Sequence, residues 1–327
     1  MNTKRPIEAS IAITYRCNLK CKMCNIWQQP SENELKFEEY LKLPVSLKVV
    51  NITGGEPFVR QDIDIIVGNL VKLNPKIRVV ISSNGYFTEV MRKKLCAIRE
   101  FLPSIGVGVS LQGKEDVHNS VRGVKDSFQR AIASIKMLKK IGVKDIRTGM
   151  TFTEENCGQI KDVYDLAKSM GIQFTGTYAH NSDVYFKTSS NVKADIDLSQ
   201  LDDVIRSELK SKSAKSWFRA YYFQGAKESQ AGKKKIRQCC AGERFFFLDP
   251  FGNVYPCVML NEVMGNIRDF KDFDELFNSP KAEEVRRKVK ICSHICWMVC
   301  TVRSNLIRHP IEPVSWIVKN KLRSLTG

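Results

Sequence analysis

Residues 17–24 read Cys17-Asn18-Leu19-Lys20-Cys21-Lys22-Met23-Cys24, which spaces three cysteines as Cys-x3-Cys-x2-Cys. They follow an alternating apolar run at Ile7–Thr14 that predicts a β-strand, so the cysteines lie in the loop after that strand. A [4Fe–4S] cube needs four cysteines for saturation, and three cysteines leave one iron open to bind a further molecule. A zinc site is the alternative, but residues 25–95 contain no Cys or His that could serve as a nearby fourth ligand.

Further along the chain, short apolar runs alternate with amphipathic helical runs as far as residue 180. The runs that predict strands are Ile7–Thr14, Leu47–Thr53, Ile77–Ser82, Ile105–Leu111, Ile146–Phe152 and Ile172–Thr177. Such alternation is typical of parallel strands with helical crossovers, and six units fall short of the eight that close a full barrel. We therefore predict an α/β fold in which residues 1–180 form a partial (β/α)6 barrel.

Polar and glycine-rich motifs follow the second, third and fourth predicted strands. In barrels of parallel strands the chemistry lies at the C-terminal strand ends, so these motifs are expected to meet around the cysteine loop. Glycines let the backbone approach a ligand closely, and a glutamate can accept hydrogen bonds from an ammonium group. Each motif also has a purely structural interpretation as a tight turn. The motifs are Thr53-Gly54-Gly55-Glu56-Pro57, Ser82-Ser83-Asn84-Gly85, and Val109-Ser110-Leu111-Gln112-Gly113 followed by His118 and Arg122-Gly123.

A second group of cysteines lies within residues 238–300. A hairpin is predicted through Pro250-Phe251-Gly252-Asn253, and a helix is predicted near 272–289. We expect these elements to form a small cluster-binding domain, with a structural zinc site as the alternative. The candidate metal ligands are Cys240 and Cys257 together with two of Cys292, Cys296 and Cys300, and Cys239 is an alternate.

Together these motifs resemble those of the radical S-adenosylmethionine (SAM) superfamily, in its members with a C-terminal SPASM or twitch domain. The resemblance implies that the reduced cluster passes one electron to SAM. The products are methionine and a 5′-deoxyadenosyl radical, which abstracts hydrogen from the substrate. It also implies an electron donor such as a flavodoxin or ferredoxin. The residues that would hold the SAM-binding cluster and carry the catalysis are Cys17, Cys21 and Cys24, and those that would contact SAM are Gly54, Gly55, Glu56, Pro57, Ser82, Asn84, Ser110 and Arg122.

The sequence departs from the superfamily pattern at three points. Met23 replaces the usual aromatic residue, and Gln112 replaces an expected aspartate, which removes a negative charge. No cysteine follows Cys300, and the C-terminal cysteines are too few for two complete auxiliary clusters. One auxiliary [4Fe–4S] cluster is therefore expected. The substrate is not indicated; peptide modification and oxidation of a small molecule or lipid precursor both fit.

The formal net charge of +17 favours contact with anions, such as an acidic substrate, an anionic membrane surface or nucleic acid, and it equally fits a solvated basic surface. Residues 181–237 predict a basic helical connector, whose lysines and aromatics give no strong nucleic-acid signal. Residues 301–327 predict a basic amphipathic tail that lies on a membrane surface or docks on the barrel. With no signal peptide and no long apolar run, a cytoplasmic location is expected, peripheral to the membrane if the tail binds lipid.

Two other classes of protein remain as alternatives. A zinc-binding nucleic-acid-binding protein would use the cysteines and the positive charge, but it leaves the Gly54-Gly55-Glu56-Pro57 motif unexplained. An iron–sulfur electron carrier without chemistry of its own would need neither an open iron nor a SAM pocket.

Overall fold

The computed structural model describes residues 4–191, 196–233 and 239–326. All six strands predicted for the barrel are present. They pair in parallel, in chain order, and their bounds lie within two residues of the predicted ones. They are β1 (Glu8–Ala12), β2 (Val49–Thr53), β3 (Arg78–Ser83), β4 (Gly106–Ser110), β5 (Asp145–Phe152) and β6 (Gln173–Tyr178).

Helices cover the outer face of this sheet and leave the inner face open. In β5 the residues that face the helices are buried, whereas the alternate residues Asp145, Arg147, Gly149 and Thr151 are partly exposed on the inner face. This alternation keeps an open lumen inside the partial barrel. The covering helices are α1 (Ile63–Leu73), α2 (Thr88–Phe101), α3 (Glu115–Arg122), α4 (Ser127–Lys140) and α5 (Ile160–Ser169), and short 3-10 turns lie at Ile26–Gln28, Phe37–Lys42, Pro57–Val59 and Cys157–Gln159.

The predicted connector contributes two helices that pack on the barrel, α6 (Leu201–Lys210) and α7 (Ala214–Gln230). Tyr221, Tyr222 and Phe223 are buried in the core, so they are not available to stack on nucleic-acid bases. The domain boundary predicted at 237–238 lies outside the described residues.

The C-terminal hairpin extends the sheet of the barrel. Strand β7 (Phe245–Leu248) pairs in parallel with β1, and β8 (Asn253–Tyr255) returns antiparallel to it, followed by β9 (Gly265–Asn266). The predicted hairpin is thereby confirmed. The helix predicted near 272–289 is two helices, α8 (Phe273–Phe277) and α9 (Pro280–Lys290). The second begins anew because the Ser279 hydroxyl caps it by accepting from Ala282 N at 3.1 Å, with Pro280 in the first turn.

The predicted tail forms α10 (Val299–Arg308) and α11 (Ile311–Thr326). Among the helices of the described ranges, none is both long enough and apolar enough to cross a membrane.

Candidate active site

The three N-terminal cysteines lie together in an apolar pocket beneath one arginine. Cys21 is buried, Cys17 and Cys24 are half-buried, and all three pack with Leu19, Met23 and Val121. Burial raises the pKa of Cys17 to about 12 and that of Cys24 to about 11. Thiolates at this site therefore need nearby positive charge, which a metal centre would supply. Arg122 Nη1 already donates to Cys21 Sγ at 3.2 Å.

The Gly54-Gly55-Glu56-Pro57 motif runs alongside the backbone that leads into the cysteine loop. Gly55 N donates to Thr14 O at 2.8 Å, and Glu56 N donates to Arg16 O at 2.9 Å. A Cβ atom on Gly54 would lie 2.3 Å from Thr14 O, and one on Gly55 would lie 2.3 Å from Arg16 O. Glycine is therefore required at both positions by this close approach, which holds the motif beside the cysteines.

Glu56 ties two of the motifs together. Its buried carboxylate accepts hydrogen bonds from Asn84 N at 2.7 Å, Ser83 Oγ at 2.8 Å and Phe58 N at 3.1 Å. Burial raises the pKa of Glu56, and the hydrogen bonds from Asn84, Phe58 and Ser83 oppose that rise. The expected contact of Glu56 with the SAM amino group stays a prediction. Its role in the described structure is to fix the loops after β2 and β3.

The last two residues of β3, Ser82 and Ser83, point to opposite faces of the strand. Ser83 serves Glu56 on the helix side, whereas Ser82 Oγ donates to Asn51 Oδ1 at 2.9 Å on the lumen side. Asn84 Nδ2 donates to Asn18 Oδ1 at 2.9 Å, which brings this motif against the cysteine loop. The sequence interpretation singled out Ser82 and Asn84 and missed Ser83.

The motif after β4 is held to the neighbouring strand β5 and to helix α3. Gln112 is buried, its Oε1 accepts from Thr151 N at 2.9 Å, and its backbone N donates to His118 Nδ1 at 3.1 Å. Burial lowers the pKa of His118 to about 3, so this imidazole is neutral at physiological pH. Arg122 Nη2 donates to Ser110 O at 3.4 Å, and the same guanidinium reaches Cys21. The glutamine in place of aspartate is thus a structural link from β4 to β5.

The loop after β6 covers the cysteine loop, and sequence reasoning assigned it only to a polar connector. Tyr185 Oη donates to Gly54 O at 3.1 Å, Asn191 Nδ2 donates to Met23 O at 2.8 Å, and Asn25 N donates to Phe186 O at 2.9 Å. The loop carries no motif. Its position directly after a barrel strand was the available signal, because such loops build barrel active sites.

The C-terminal cysteines surround a cavity of about 1250 Å³. Cys239, Cys257, Cys292 and Cys296 line it. Cys257 Sγ accepts from Met259 N at 3.4 Å and from Leu260 N at 3.3 Å, an arrangement that stabilises a thiolate. Burial, with neighbouring thiols as a smaller contribution, raises the pKa of Cys296 well above its usual value.

The two adjacent cysteines, of which the sequence favoured Cys240 as the ligand, lie in different surroundings. Cys239 lines the cavity, whereas Cys240 is fully buried, with its Sγ 3.9 Å from Arg308 Nη1. Cys300 lies between the cavity and the barrel. It lines the lumen, and its pKa is raised to about 12 by burial, with added repulsion from Cys257 and Cys239.

The segment that carries these cysteines closes the open side of the partial barrel. Thr177 on β6 donates to Trp297 O at 3.2 Å, and His180 Nε2 accepts from Trp297 N at 3.3 Å. At the other edge of the six barrel strands, Arg303 Nη1 donates to Glu8 on β1 at 3.0 Å. The C-terminal segment thereby forms one wall of the lumen.

Two family matches cover the two cysteine groups separately. Residues 11–167 match the radical SAM superfamily, and residues 239–301 match SPASM, an iron–sulfur cluster-binding domain. The chain belongs to the radical SAM superfamily. It is a member with a C-terminal SPASM domain, so its cofactors are a [4Fe–4S] cluster, SAM and auxiliary iron–sulfur clusters.

Curated relatives of this radical SAM protein have several different names. The subtilosin biosynthesis protein AlbA of Bacillus subtilis is 28% identical over 84% of this chain, and the match spans 60% of its own length. An AdoMet-dependent heme synthase of Methanosarcina barkeri is 25% identical over 89% of the chain and 90% of its own length. A GTP 3′,8-cyclase of Nautilia profundicola is 28% identical over 50% of the chain and 52% of its own length.

Solved structures support the same fold. An AdoMet-bound structure of anSMEcpe superposes with a TM-score of 0.62 at 21% identity, covering 86% of this chain and 82% of its own. Streptococcus suis SuiB bound to S-adenosylmethionine gives 0.63 at 18% identity, covering 86% and 68%.

The donor sets at both cysteine groups fit iron–sulfur clusters, because such clusters are held by cysteine thiolates. The N-terminal loop offers Cys17, Cys21 and Cys24, and the C-terminal group offers at least the four cysteines that one complete cube needs.

Proposed function

We propose that this protein binds SAM at a [4Fe–4S] cluster held by Cys17, Cys21 and Cys24 and starts hydrogen abstraction from a substrate in the barrel lumen. One observation supports this most directly. A lumen cavity of about 270 Å³ is lined by Thr53 and Tyr185, next to Gly54, and also by Cys300 of the auxiliary group. A substrate in that cavity would lie between the two cysteine groups.

The protein's own residues supply positive charge and exclude water at the proposed site of this chemistry. When bound, the cluster supplies the electron that cleaves SAM reductively. The Arg122 guanidinium donates to Cys21 Sγ and so places its positive charge beside the cysteine loop. The loop after β6 covers the cysteine loop through Tyr185 and Asn191, which keeps water away from the reacting atoms.

The substrate is a peptide side chain or a small molecule, because the lumen cavity has room for a group of that size. Similarity does not choose between the two. The relatives' names include a bacteriocin biosynthesis protein, heme synthases and GTP cyclases, and SuiB has been solved with a precursor peptide.

We further propose a single auxiliary [4Fe–4S] cluster. Its four ligands would come from the five cysteines that the structure groups, with Cys239 replacing the Cys240 that the sequence favoured. Such a cluster, beside Cys300 in the lumen wall, would accept the electron left on the oxidised substrate. A flavodoxin or ferredoxin would reduce the N-terminal cluster.

We also propose that the protein is cytoplasmic and binds the surface of an anionic membrane through α11. Ile311, Val314, Val318 and Leu322 recur three or four residues apart and are 85%, 44%, 53% and 61% exposed, so they form one apolar stripe on the helix. The opposite face packs on α6 and α7, and Ile317 on that face is only 6% exposed.

Charge favours lipid as the occupant of this stripe. Lys319 and Arg323 follow it on one side, as in helices that rest in anionic headgroups, whereas the Lys321 ammonium on the other side donates to the carbonyls of Leu209 and Ser211. A second copy of the chain would bring these basic residues against each other. Glu312, the acidic residue of α11, is directed towards α7, where its carboxylate accepts a hydrogen bond from Tyr221 Oη at 2.8 Å.

The test of the proposed reaction is SAM cleavage by anaerobically reconstituted protein. With dithionite and SAM we expect 5′-deoxyadenosine from the wild type and from Cys157→Ala, a half-buried cysteine outside both groups. Cys24→Ala should form none, because the cluster loses one of three ligands. Equal product from Cys24→Ala, or no product from wild-type protein with intact clusters and a cell extract as the substrate source, would contradict the proposal.

A further inference from the structure

Several inner residues of this barrel are small, which leaves room in its lumen. Full (β/α)8 barrels fill this space with bulky branched side chains. Here Ser10, Asn51, Ser82 and Thr175 line the cavity, and Gly108 faces the same space on β4. The cavity therefore continues from the ends of the strands beside the cysteine loop down to their N-terminal ends.

Positive charge is concentrated at that lower end. Arg78, Arg147 and Arg303 line the cavity, where Glu8 is the acidic lining residue and already accepts a hydrogen bond from Arg303. Arg78 Nη2 and Arg147 Nη2 share the single carboxylate of Asp145, at 2.6 and 2.8 Å. Two guanidiniums on one carboxylate leave a net positive charge facing the lumen.

One of these arginines also has an unused donor. Arg147 Nε is buried and has no hydrogen-bond partner among the described residues. A buried donor without a partner is costly, so a bound acceptor would stabilise it. The site also depends on glycine, because a Cβ atom on Gly106 would lie 2.8 Å from Asp145 Oδ2.

We propose, building on the proposed function, that this arginine pair binds an anionic group of the substrate, a carboxylate or a phosphate. Planar guanidiniums suit both, since each can donate two parallel hydrogen bonds. The substrate's other end would reach Thr53 and Tyr185 beside the SAM motif.

The strand geometry sets the length of such a substrate. Arg78 and Ser82 lie on the same face of β3, four residues apart, which corresponds to about 13 Å at about 3.3 Å per residue. A volume of about 270 Å³ spread over that length accommodates one extended chain. The site therefore selects a slender molecule or side chain with its negative charge about 13 Å from the reacting position.

The test is anion binding by cluster-loaded protein without SAM. The probes are inorganic phosphate and succinate, each compared with chloride at equal ionic strength, and the readout is the thermal unfolding midpoint, because a ligand of the folded state raises it. We expect at least one probe to stabilise the wild type. Which probe acts distinguishes a phosphate from a carboxylate substrate.

Three variants separate binding from a purely structural role. Arg147→Gln should lose most of the shift, and the exposed Arg206→Gln, paired with Asp203 on α6, should keep it. Asp145→Asn removes the competing carboxylate, so it should bind the same anion several-fold more tightly. If the residues were only structural, Asp145→Asn would not gain affinity.

No shift in the wild type, or equal shifts in the wild type and Arg147→Gln, would overturn the inference. Neither result depends on SAM cleavage. A protein that forms deoxyadenosine but binds no anion would contradict the anion site alone. A protein that binds the anion but forms no deoxyadenosine would contradict the proposed reaction alone.

Discussion

At the scale of single residues, the carboxylate of Glu56 shows how a cofactor motif also holds the fold. It is fully buried and accepts three hydrogen bonds from the loop after β3 and from its own turn. The same loops bring Asn84 and the glycine pair against the cysteine loop. Any loss of this carboxylate should therefore be felt in stability as well as in SAM binding.

We predict that Glu56→Gln lowers the free energy of unfolding by about 1–3 kcal/mol. The new side-chain NH2 group would face a backbone N–H that now donates to the carboxylate, so that N–H would lose its acceptor. Anaerobic thermal or denaturant unfolding measures this, with the exposed Glu89→Gln as a control. If Glu56→Gln weakened SAM binding and left stability unchanged, Glu56 would be a ligand contact only.

Residue types were predictable from the sequence, but choices between adjacent residues were not. Motif spacing indicated Gly54, Gly55 and the cysteine groups. It favoured Ser82 over Ser83 and Cys240 over Cys239, whereas Ser83 contacts Glu56 and Cys239 lines the cavity of the C-terminal cysteines. Neighbouring residues of a strand face opposite sides, and which side carries the site depends on tertiary packing.

At the scale of elements, the barrel strands were predictable because each is a short apolar run, and the first four are followed by a recognisable motif. The loop after β6 was not, because its contacts with Met23, Gly54 and Asn25 join residues far apart in the sequence. The break between α8 and α9 had a local signal in Ser279-Pro280, a capping residue followed by proline at the first helical position.

At the scale of the whole molecule, the C-terminal segment completes the lumen and leaves α11 on the surface. The apolar stripe of α11 and its basic borders predict a membrane-facing side. The sequence indicated an amphipathic tail, but only the packing of Ile317 and Trp316 shows which of its two apolar faces is exposed.

We predict that the protein sediments with phosphatidylglycerol vesicles and much less with phosphatidylcholine vesicles. Val314→Glu with Val318→Glu should reduce binding at least tenfold, and Lys319→Gln with Arg323→Gln should cost about 1 kcal/mol per charge. The matched control is Leu41→Glu with Val45→Glu, two exposed apolar residues elsewhere.

Loss of binding in that control, or equal binding to both lipids, would contradict a specific anionic surface. A dimer in light scattering that Val314→Glu dissociates would instead identify a second copy as the occupant of the stripe.

The central claim is that two separate cysteine groups hold two kinds of cluster, and iron analysis with electron paramagnetic resonance tests it most directly. The wild type should bind about eight irons and the Cys17→Ala, Cys21→Ala, Cys24→Ala variant about four. Adding SAM should change the spectrum of the reduced wild type only. In the triple variant, Cys239→Ser should change the spectrum of the remaining cluster or lower its iron content, and Cys240→Ser should change neither. Zinc in place of iron in the wild type would contradict the account. A triple variant that keeps the wild-type iron content and still responds to SAM would contradict it as well.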